Sequence, residues 1–308
     1  MTAAKTFSRV AVVGCGWMGG QIARVYAAAG LTVHLVDSDP AAVERTRASL
    51  GRWSSQVIEA GLDEIEEVKF VQEAVFEDMQ AKQDLFAELG RRLAPDVVLA
   101  TNTSGINISE IAARCREPAR VLGVHWVSPA YVIPVVEVIP GPQTAPGVVD
   151  ASCSFLRAIG KRPVVCRREI PGFLVNRIKE VLVNEALELV AGGYASAEDV
   201  DAVVRWAIAP RLALWGPLRA QDLQSNKKTV AAVARYLYEK TGDARFRPPR
   251  LLEEAVAAGH LGIASGRGYY SYEGLDKETL LRYRDQSLVA ILAYLEGRDD
   301  DAFWRGPA

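Results

Sequence analysis

The chain has 308 residues, enough for two domains that each bury a core. Apolar residues make up 49% and charged residues 24%, the balance of a folded globular protein, and the net charge of −2 leaves no electrostatic case for nucleic acid or an anionic membrane. Cys15, Cys115, Cys153 and Cys166 show no paired spacing, which sets aside a disulfide framework and a metal site and predicts reduced thiols in the cytoplasm. No apolar run approaches a membrane span, and the N-terminal MTAAKTFS lacks a signal-peptide core.

Residues 10–13 form a short apolar run suited to a buried parallel strand. Gly14, Gly16 and Gly19 follow in G-x-G-x-x-G register. In a strand-to-helix turn the first glycine permits the tight turn. The second lets the backbone approach a pyrophosphate, and the third lets helix pack on strand. Trp17 and Met18 lie inside this turn and join the three glycines as candidate cofactor-binding residues. The helix that opens here points its N–H groups and positive dipole end at the phosphates, and Gly30 stops it. A second strand, 32–36, ends at Asp37, where an acid accepts hydrogen bonds from ribose hydroxyls and repels a 2′-phosphate. No arginine follows in Ser38-Asp39-Pro40, so the expected cofactor is NAD rather than NADP.

Residues 40–60 read as one amphipathic helix whose stripe is Val43, Thr46, Leu50, Trp53, Val57 and Ile58. Residues 62–67 suggest a short acidic helix. Strands are expected at 70–76, running into Glu77, and at 97–100, running into Thr101-Asn102-Thr103-Ser104-Gly105. A helix over 78–93 places Lys82 about one turn beyond Glu77. After a helix near 109–115, a strand at 121–124 delivers His125, and a strand over 134–139 carries Glu137. A helix over 146–159 and a strand at 163–166 complete the alternation. This pattern implies a doubly wound parallel sheet with helices on both faces over residues 1–168. From Pro171 onward only helices are expected: 172–191, one starting at Ser196 with Asp199 in a capping-box arrangement, then 227–240, 249–258 and 277–295. The fold class is therefore a Rossmann-type α/β domain followed by an all-α C-terminal domain, residues 169–308.

Three segments, TNTSGINISEIA, HWVSPAYVIPVVEVIPG and PGFLVNRIKEVLVNEAL, occur in an order and spacing that resembles the 3-hydroxyacyl-CoA dehydrogenase superfamily. GIASGRGYYSY at 262–272 is similar to that family's G-x-K-S-G-x-G-F-Y-x-Y turn. The HWxxPxYxxPxVEV variant is closer to its short monofunctional branch, which includes L-gulonate 3-dehydrogenase and carnitine 3-dehydrogenase. The resemblance implies an NAD domain with a helical dimerisation domain, hence a homodimer. It implies a small hydroxy or keto substrate, either a free 3-hydroxy acid or a CoA thioester. It places His125, Glu137, Ser104 and Asn176 at catalytic positions, and Asn102, Glu77 and Lys82 near the nicotinamide and ribose.

The residue types carry the same chemistry. Oxidising a secondary alcohol needs a base for the hydroxyl proton while hydride leaves the same carbon, and histidine has the right unperturbed pKa. His125 is expected just past a strand's C-terminal end, where α/β sheets put their ligand crevices. Adjacent parallel strands would bring Glu137 within reach, to orient the ring and stabilise the imidazolium. Ser104 and Asn176 would hydrogen-bond the reacting oxygen. His34 and His260 read as structural, and Trp126, Tyr131, Trp206 and Trp215 as core. For Glu77 and Lys82 the alternative is a helix-start acid and a solvated lysine. For the chain as a whole the alternatives are a specialised alcohol dehydrogenase or a non-enzymatic, crystallin-like NAD-binding protein. The lysine-based hydroxyacid dehydrogenases are set aside because Lys179 and Asn184 diverge by about 140° around a helix.

Several positions depart from the family pattern. Ser128 replaces the family's asparagine three residues after the histidine, Ala207-Ile208-Ala209 replaces a G-x-G, and Leu223-Gln224-Ser225-Asn226-Lys227-Lys228 replaces a small, glycine-containing stretch. The interval from Asp37 to Glu73 is short. Relatives fit an additional strand and often a protruding helical pair there, and in acyl-CoA enzymes that pair helps hold the CoA moiety. The short interval thus argues against a long acyl-CoA. Arg211, Arg219, Lys227 and Lys228 are candidates for binding a carboxylate or phosphate, or solvated surface charges.

Overall fold

The computed structural model describes residues 7–65 and 67–298; residues 1–6 of the N-terminal reading, Glu66 and residues 299–308 lie outside it. The chain divides into two compact units, Met1–Val183 and Asn184–Ala308.

The first unit is built on an eight-stranded sheet. Its strands are β1 (Arg9–Val13), β2 (Thr32–Val36), β3 (Val57–Glu59), β4 (Phe70–Glu73), β5 (Val98–Thr101), β6 (Val121–Trp126), β7 (Val135–Pro140) and β8 (Arg162–Val165). The order is β3-β2-β1-β4-β5-β6-β7-β8, so the six strands from β3 to β6 follow the doubly wound dinucleotide-binding order. All neighbours in that stretch are parallel, as expected from the connecting helices α1 (Trp17–Ala28), α2 (Pro40–Ser49), α3 (Met79–Arg92) and α4 (Ile108–Ala112). α5 (Pro146–Ala158) joins β7 to β8. Both faces of the sheet are covered. Val10 and Val12 of β1 pack with Ile22, Tyr26, Val43 and Phe155 of α1, α2 and α5, while Ala11 and Val13 pack with Phe86, Leu89 and Ile111 of α3 and α4. Burial on both faces explains why β1 reads as a continuous apolar run rather than an alternating one.

Several features of this unit differ from the sequence reading. The expected helix over 40–60 stops at Ser49; Gly51 adopts φ +54, a 3₁₀ segment runs over Gly51–Gln56, and Val57–Glu59 becomes β3. A left-handed glycine breaks the helix, and the β-branched pair Val57-Ile58 adds to the open edge of β2, Val33 opposite Val57. An additional strand does occupy the short interval before Glu73, and the described part of 62–67 is turn rather than helix. Second, His125 lies inside β6, not past its end. Third, β7 runs antiparallel to β6, with His125 directly opposite Glu137. The physical reason is connection length: residues 127–134 are too few for the crossover a parallel pair requires, about a dozen residues or more.

α6 (Phe173–Ala191) contains the division point between the units. The second unit continues with α7 (Ala197–Val203), α8 (Ala209–Gln224), α9 (Lys227–Thr241), α10 (Arg250–Ala257) and α11 (Lys277–Glu296). Ser196 caps α7 by accepting from the Asp199 N–H at 3.1 Å. α8 was not expected, and Gly216 (φ 70°, ψ 168°) breaks it ahead of Pro217. Asp222 of α8 organises this unit. Its buried carboxylate accepts from the backbone N–H groups of Tyr269 and Tyr270 and the Tyr272 hydroxyl, each at 3.1 Å, and from Lys227. Lys227 is therefore a buried partner of Asp222, not a carboxylate- or phosphate-binding surface cation. No helix among the described residues is long and apolar enough to cross a membrane.

Candidate active site

The glycine turn between β1 and α1 has the shape its spacing predicts. Gly14 sits at φ +99, and a Cβ there would lie 2.6 Å from the Ala74 backbone; a Cβ on Gly19 would lie 1.7 Å from the Gly14 carbonyl oxygen. Both positions therefore require glycine. Gly16, the N-cap of α1, has nothing within 4 Å of its would-be Cβ. Open space thus stands at a helix N-terminus whose N-cap residue supplies no side-chain cap hydrogen bond. Asp37 closes the far side. Its carboxylate accepts from the N–H of Cys15 at 2.6 Å and of Asp39 at 2.9 Å. Burial and the Asp37 charge push the Cys15 thiol up to about 12, so this cysteine stays protonated and inert. A cleft of about 370 Å³ lined by Gly14, Gly16, Asp37, Ala74, Val75 and Phe76 continues from the turn. An uncrowded helix terminus for a diphosphate, beside a carboxylate that can accept from a ribose, fits a dinucleotide.

Met18 packs partly buried against the core, while Trp17 is exposed and donates from Nε1 to the Ser128 hydroxyl at 3.4 Å. Gln21, not singled out from sequence, donates to Ser128 at 3.4 Å and accepts from the Ala130 N–H at 2.7 Å. It ties α1 to the loop that follows His125.

Behind the cleft lies a polar cluster of which the sequence reading found only part. Glu73, buried at the end of β4, accepts from Lys82 Nζ at 2.6 Å, the Thr101 hydroxyl at 2.6 Å and the Val75 N–H at 2.7 Å. Lys82 also reaches Glu77 at 3.3 Å and is itself fully buried, so it is not a solvated lysine. Glu77 accepts from the Thr103 hydroxyl at 2.6 Å and the Ser104 N–H at 3.0 Å. Burial raises its pKa, but these bonds and Lys82 outweigh it and hold the carboxyl below its ordinary value. Asn102 accepts from the Trp126 N–H at 2.8 Å, next to His125. The signal for Glu73 was available: an acid within a run otherwise buried as a strand must find partners.

The candidate catalytic residues converge from β6, β7 and the start of α6. His125 Nδ1 lies 2.7 Å from Glu137 Oε2. Glu137 Oε1 accepts from the N–H of Leu174 at 2.8 Å and of Val175 at 3.0 Å, so the first turn of α6 is spent on this carboxylate. Burial raises the Glu137 pKa, but hydrogen bonds from His125, Val175 and Leu174 overcome it and hold the carboxyl below its ordinary value. An ionised Glu137 can only accept, so His125 donates from Nδ1, and in the neutral form of the ring this leaves the lone pair on Nε2. Phe173, the first residue of α6, takes φ +46 without being glycine, is fully buried, and sets its ring centroid 5.7 Å from that of His125. A bulky residue in the left-handed region is strained, and here the strain lies where α6 aims its N–H groups at Glu137. The Asn176 side-chain amide donates to the Ser104 carbonyl at 3.3 Å, which joins the last two expected site residues.

Comparison with known proteins matches the same segments. The model of the 3-hydroxyacyl-CoA dehydrogenase NAD-binding domain matches residues 9–62 and 53–170, and that of its C-terminal domain matches residues 172–272. A 5-formyl-3-hydroxy-2-methylpyridine 4-carboxylate 5-dehydrogenase of Mesorhizobium japonicum is 32% identical over 94% of this chain and 99% of its own. A 3-hydroxybutyryl-CoA dehydrogenase of Mycobacterium tuberculosis is 34% identical over 86% of this chain and 98% of its own. The crystal structure of a 3-hydroxyacyl-CoA dehydrogenase from Archaeoglobus fulgidus superposes with a TM-score of 0.83 at 33% identity, covering 94% of this chain and 99% of that one.

Proposed function

Since this chain belongs to the 3-hydroxyacyl-CoA dehydrogenase family and is thus an NAD-dependent oxidoreductase acting on a CH–OH group, we propose that it interconverts a small 3-hydroxy acid and its 3-keto form. His125 acts as the base and Glu137 as its orienter. The observation that carries this reading is the 2.7 Å His125–Glu137 bond, with Glu137 anchored by two N–H groups of α6. The Gly14–Gly19 turn, with Trp17 and Met18, and Asp37, Glu77 and Asn102 would hold the dinucleotide, which when bound supplies the hydride acceptor. His125 Nε2 takes the hydroxyl proton. Glu137 holds the productive tautomer and stabilises the imidazolium that results. Ser104 and Asn176 contribute hydrogen bonds to the reacting oxygen as its charge changes.

A compact free acid is favoured over a long acyl-CoA. The described residues between Asp37 and Glu73 hold one helix, a 3₁₀ segment and a three-residue strand, and no protruding helical pair. The pyridine-carboxylate dehydrogenase, whose name gives a substrate without CoA, aligns over nearly all of this chain. The chain is also read as a homodimer. α6 exposes Ile178, Val181 and Leu187, each more than 60% accessible, together with Leu182, Val183 and Val190, so apolar groups stand around the helix rather than on one stripe. Such a helix needs cover on several sides. Four buried free thiols suit the cytoplasm.

NAD reduction followed by absorbance against small 3-hydroxy acids and 3-hydroxybutyryl-CoA tests the assignment. Turnover of a free acid, abolished in His125→Ala with cofactor binding kept, is the expected result. Preference for the thioester would overturn the size argument, and an active His125→Ala would overturn the assignment of the base.

A further inference from the structure

The N–H groups of Leu174 and Val175 reach Glu137 because the chain ahead of α6 is led to that point and held there. It leaves β8 at Cys166, whose N–H donates to the Val138 carbonyl at 2.9 Å. Gly172 then turns at φ +76, and Phe173 follows at φ +46. Between these points the Glu169 side chain reaches 60 residues back along the sequence. One carboxylate oxygen accepts from the Ser109 N–H at 2.8 Å and the other from the Ser109 hydroxyl. Ser109 is the second residue of α4, and its N–H is one of those a helix start leaves without a partner inside the helix. The N-cap Asn107 supplies no side-chain bond, so Glu169 caps α4 from a distant part of the chain. The clamp thus joins two strips of chain that both end at candidate catalytic residues. One is the loop ahead of α4, which carries Ser104. The other is the lead-in to α6, which carries Asn176 and the N–H groups on Glu137, and Asn176 bridges the two at the Ser104 carbonyl.

We propose that Glu169 is a positioning residue for the His125–Glu137 pair, acting through the first turn of α6, and that Ser109 is its anchor. A bulky residue in the left-handed region persists where its surroundings over-determine it. Phe173 is buried, Ile170 packs in the same core cluster, and the Glu169 clamp is the polar restraint on the chain just before them. Without that restraint Phe173 relaxes toward an ordinary φ, and the Leu174 and Val175 N–H groups that follow it swing off Glu137. Both Glu169 oxygens are engaged by Ser109, so Glu169 acts on the site only through the backbone that it holds. The proposal rests on the reading of His125 and Glu137 as a hydrogen-bonded dyad, and it is independent of which hydroxy acid is oxidised.

Proton NMR of the intact protein reads the dyad directly, without substrate. A histidine N–H shared with a carboxylate resonates far downfield of other ring N–H groups, the chain has three histidines, and loss of the signal in His125→Ala assigns it. Glu169→Ala removes the clamp. Glu169→Gln keeps it, its carbonyl oxygen accepting from the Ser109 N–H and its NH₂ donating to the Ser109 oxygen. In Glu169→Ala the resonance should move upfield or broaden. Its kcat on the hydroxy acid turned over fastest should fall about 10- to 100-fold, the scale of a misplacement of about 1 Å. NADH affinity should stay within about twofold of the parent, as for an independent site. Glu169→Gln should restore the resonance and most of kcat. Ser109→Ala removes one of the two bonds at a helix position that alanine suits, so it should give a smaller change in the same direction, and it carries the test if Glu169→Ala fails to fold. A Glu169→Ala protein with the parent's resonance and kcat would overturn the proposal. So would one whose NADH affinity falls along with kcat and which Glu169→Gln does not rescue, the mark of general loosening. A parent without the downfield resonance would overturn the dyad itself, and the proposal with it.

Discussion

Replacing Glu137 by glutamine keeps the shape of the side chain and changes which atoms can donate. Glu137 Oε1 faces two donors, the N–H groups of Leu174 and Val175, at 2.8 and 3.0 Å. The glutamine must turn its carbonyl oxygen toward them, since its NH₂ there would meet two donors head-on. That orientation points the NH₂ at His125 Nδ1, now 2.7 Å from a carboxylate oxygen. Nδ1 is then forced to accept, the ring proton moves to Nε2, and the atom that should take the substrate proton no longer can. The same tautomer inversion in a serine-protease triad lowers kcat about 10⁴-fold, and a loss of about 10³- to 10⁴-fold is expected here, roughly 4 to 5.5 kcal/mol of barrier. The cost in stability should be smaller, about 1–2 kcal/mol, because the N–H groups of α6 exchange a charged acceptor for a neutral one rather than losing it. NADH affinity should not move. The variant also carries a pH signature. The folded-state pKa of Glu137 is depressed, so its stabilisation is present above the unfolded value of about 4.3 and is lost as pH falls through the folded value. The stability gap between parent and variant should therefore close toward acid. Steady-state kinetics on the best substrate, NADH titration and denaturant melts at several pH values measure all three quantities. A variant that kept kcat/KM within about tenfold of the parent would refute the tautomer argument.

The glycine turn separates folding from binding: Gly16→Ala should melt like the parent, since its Cβ meets nothing within 4 Å, yet lose at least about tenfold in NADH affinity as the methyl fills the diphosphate's space. Gly19→Ala, with its Cβ 1.7 Å from a carbonyl oxygen, should instead cost about 1–3 kcal/mol of stability or more and lower the melting temperature itself. His34 in β2 is buried with neither ring nitrogen partnered among the described residues, and burial first and Arg9 second lower its pKa. A folded pKa below the unfolded value means full stability above about pH 6.5 and loss as pH drops below it, and His34→Leu should flatten that slope in denaturant melts. In the second unit, Lys227→Met alone should cost about 3–5 kcal/mol by stranding the Asp222 carboxylate, while Asp222→Asn with Lys227→Met should recover much of it. If the double variant is no more stable than the single one, the buried pair is not what holds that unit together.

Much of the dinucleotide-binding half is a matter of local chemistry and was legible without coordinates. Gly14 and Gly19 are required by a positive φ and by contacts within one turn, and Asp37 follows from the end of the next strand. The alternation of strand and helix through α5, the caps at Ser196 and the stop at Gly30 are likewise written in runs of a few residues. The sequence also named His125, Glu137, Ser104 and Asn176, but expected the first two to meet across parallel strands. Their meeting is instead a property of register: only an antiparallel β6–β7 pair sets residue 125 directly opposite residue 137, and the short 127–134 connection dictates that direction. That Lys82 lies buried against Glu73, nine residues earlier, with Glu77 and the Val75 carbonyl also around its ammonium, is a tertiary fact; the sequence signalled only that an acid inside a buried strand needs a partner. The burial of Lys227, the 3₁₀ segment and short strand that replaced the second half of a helix, and the two N–H groups of α6 aimed at Glu137 belong to the same class. Backbone propensity and turn chemistry act over one or two turns of chain and can be read in order. Which buried charges find each other, and which helix end faces which carboxylate, depends on elements brought together from far apart, and only tertiary structure decides that.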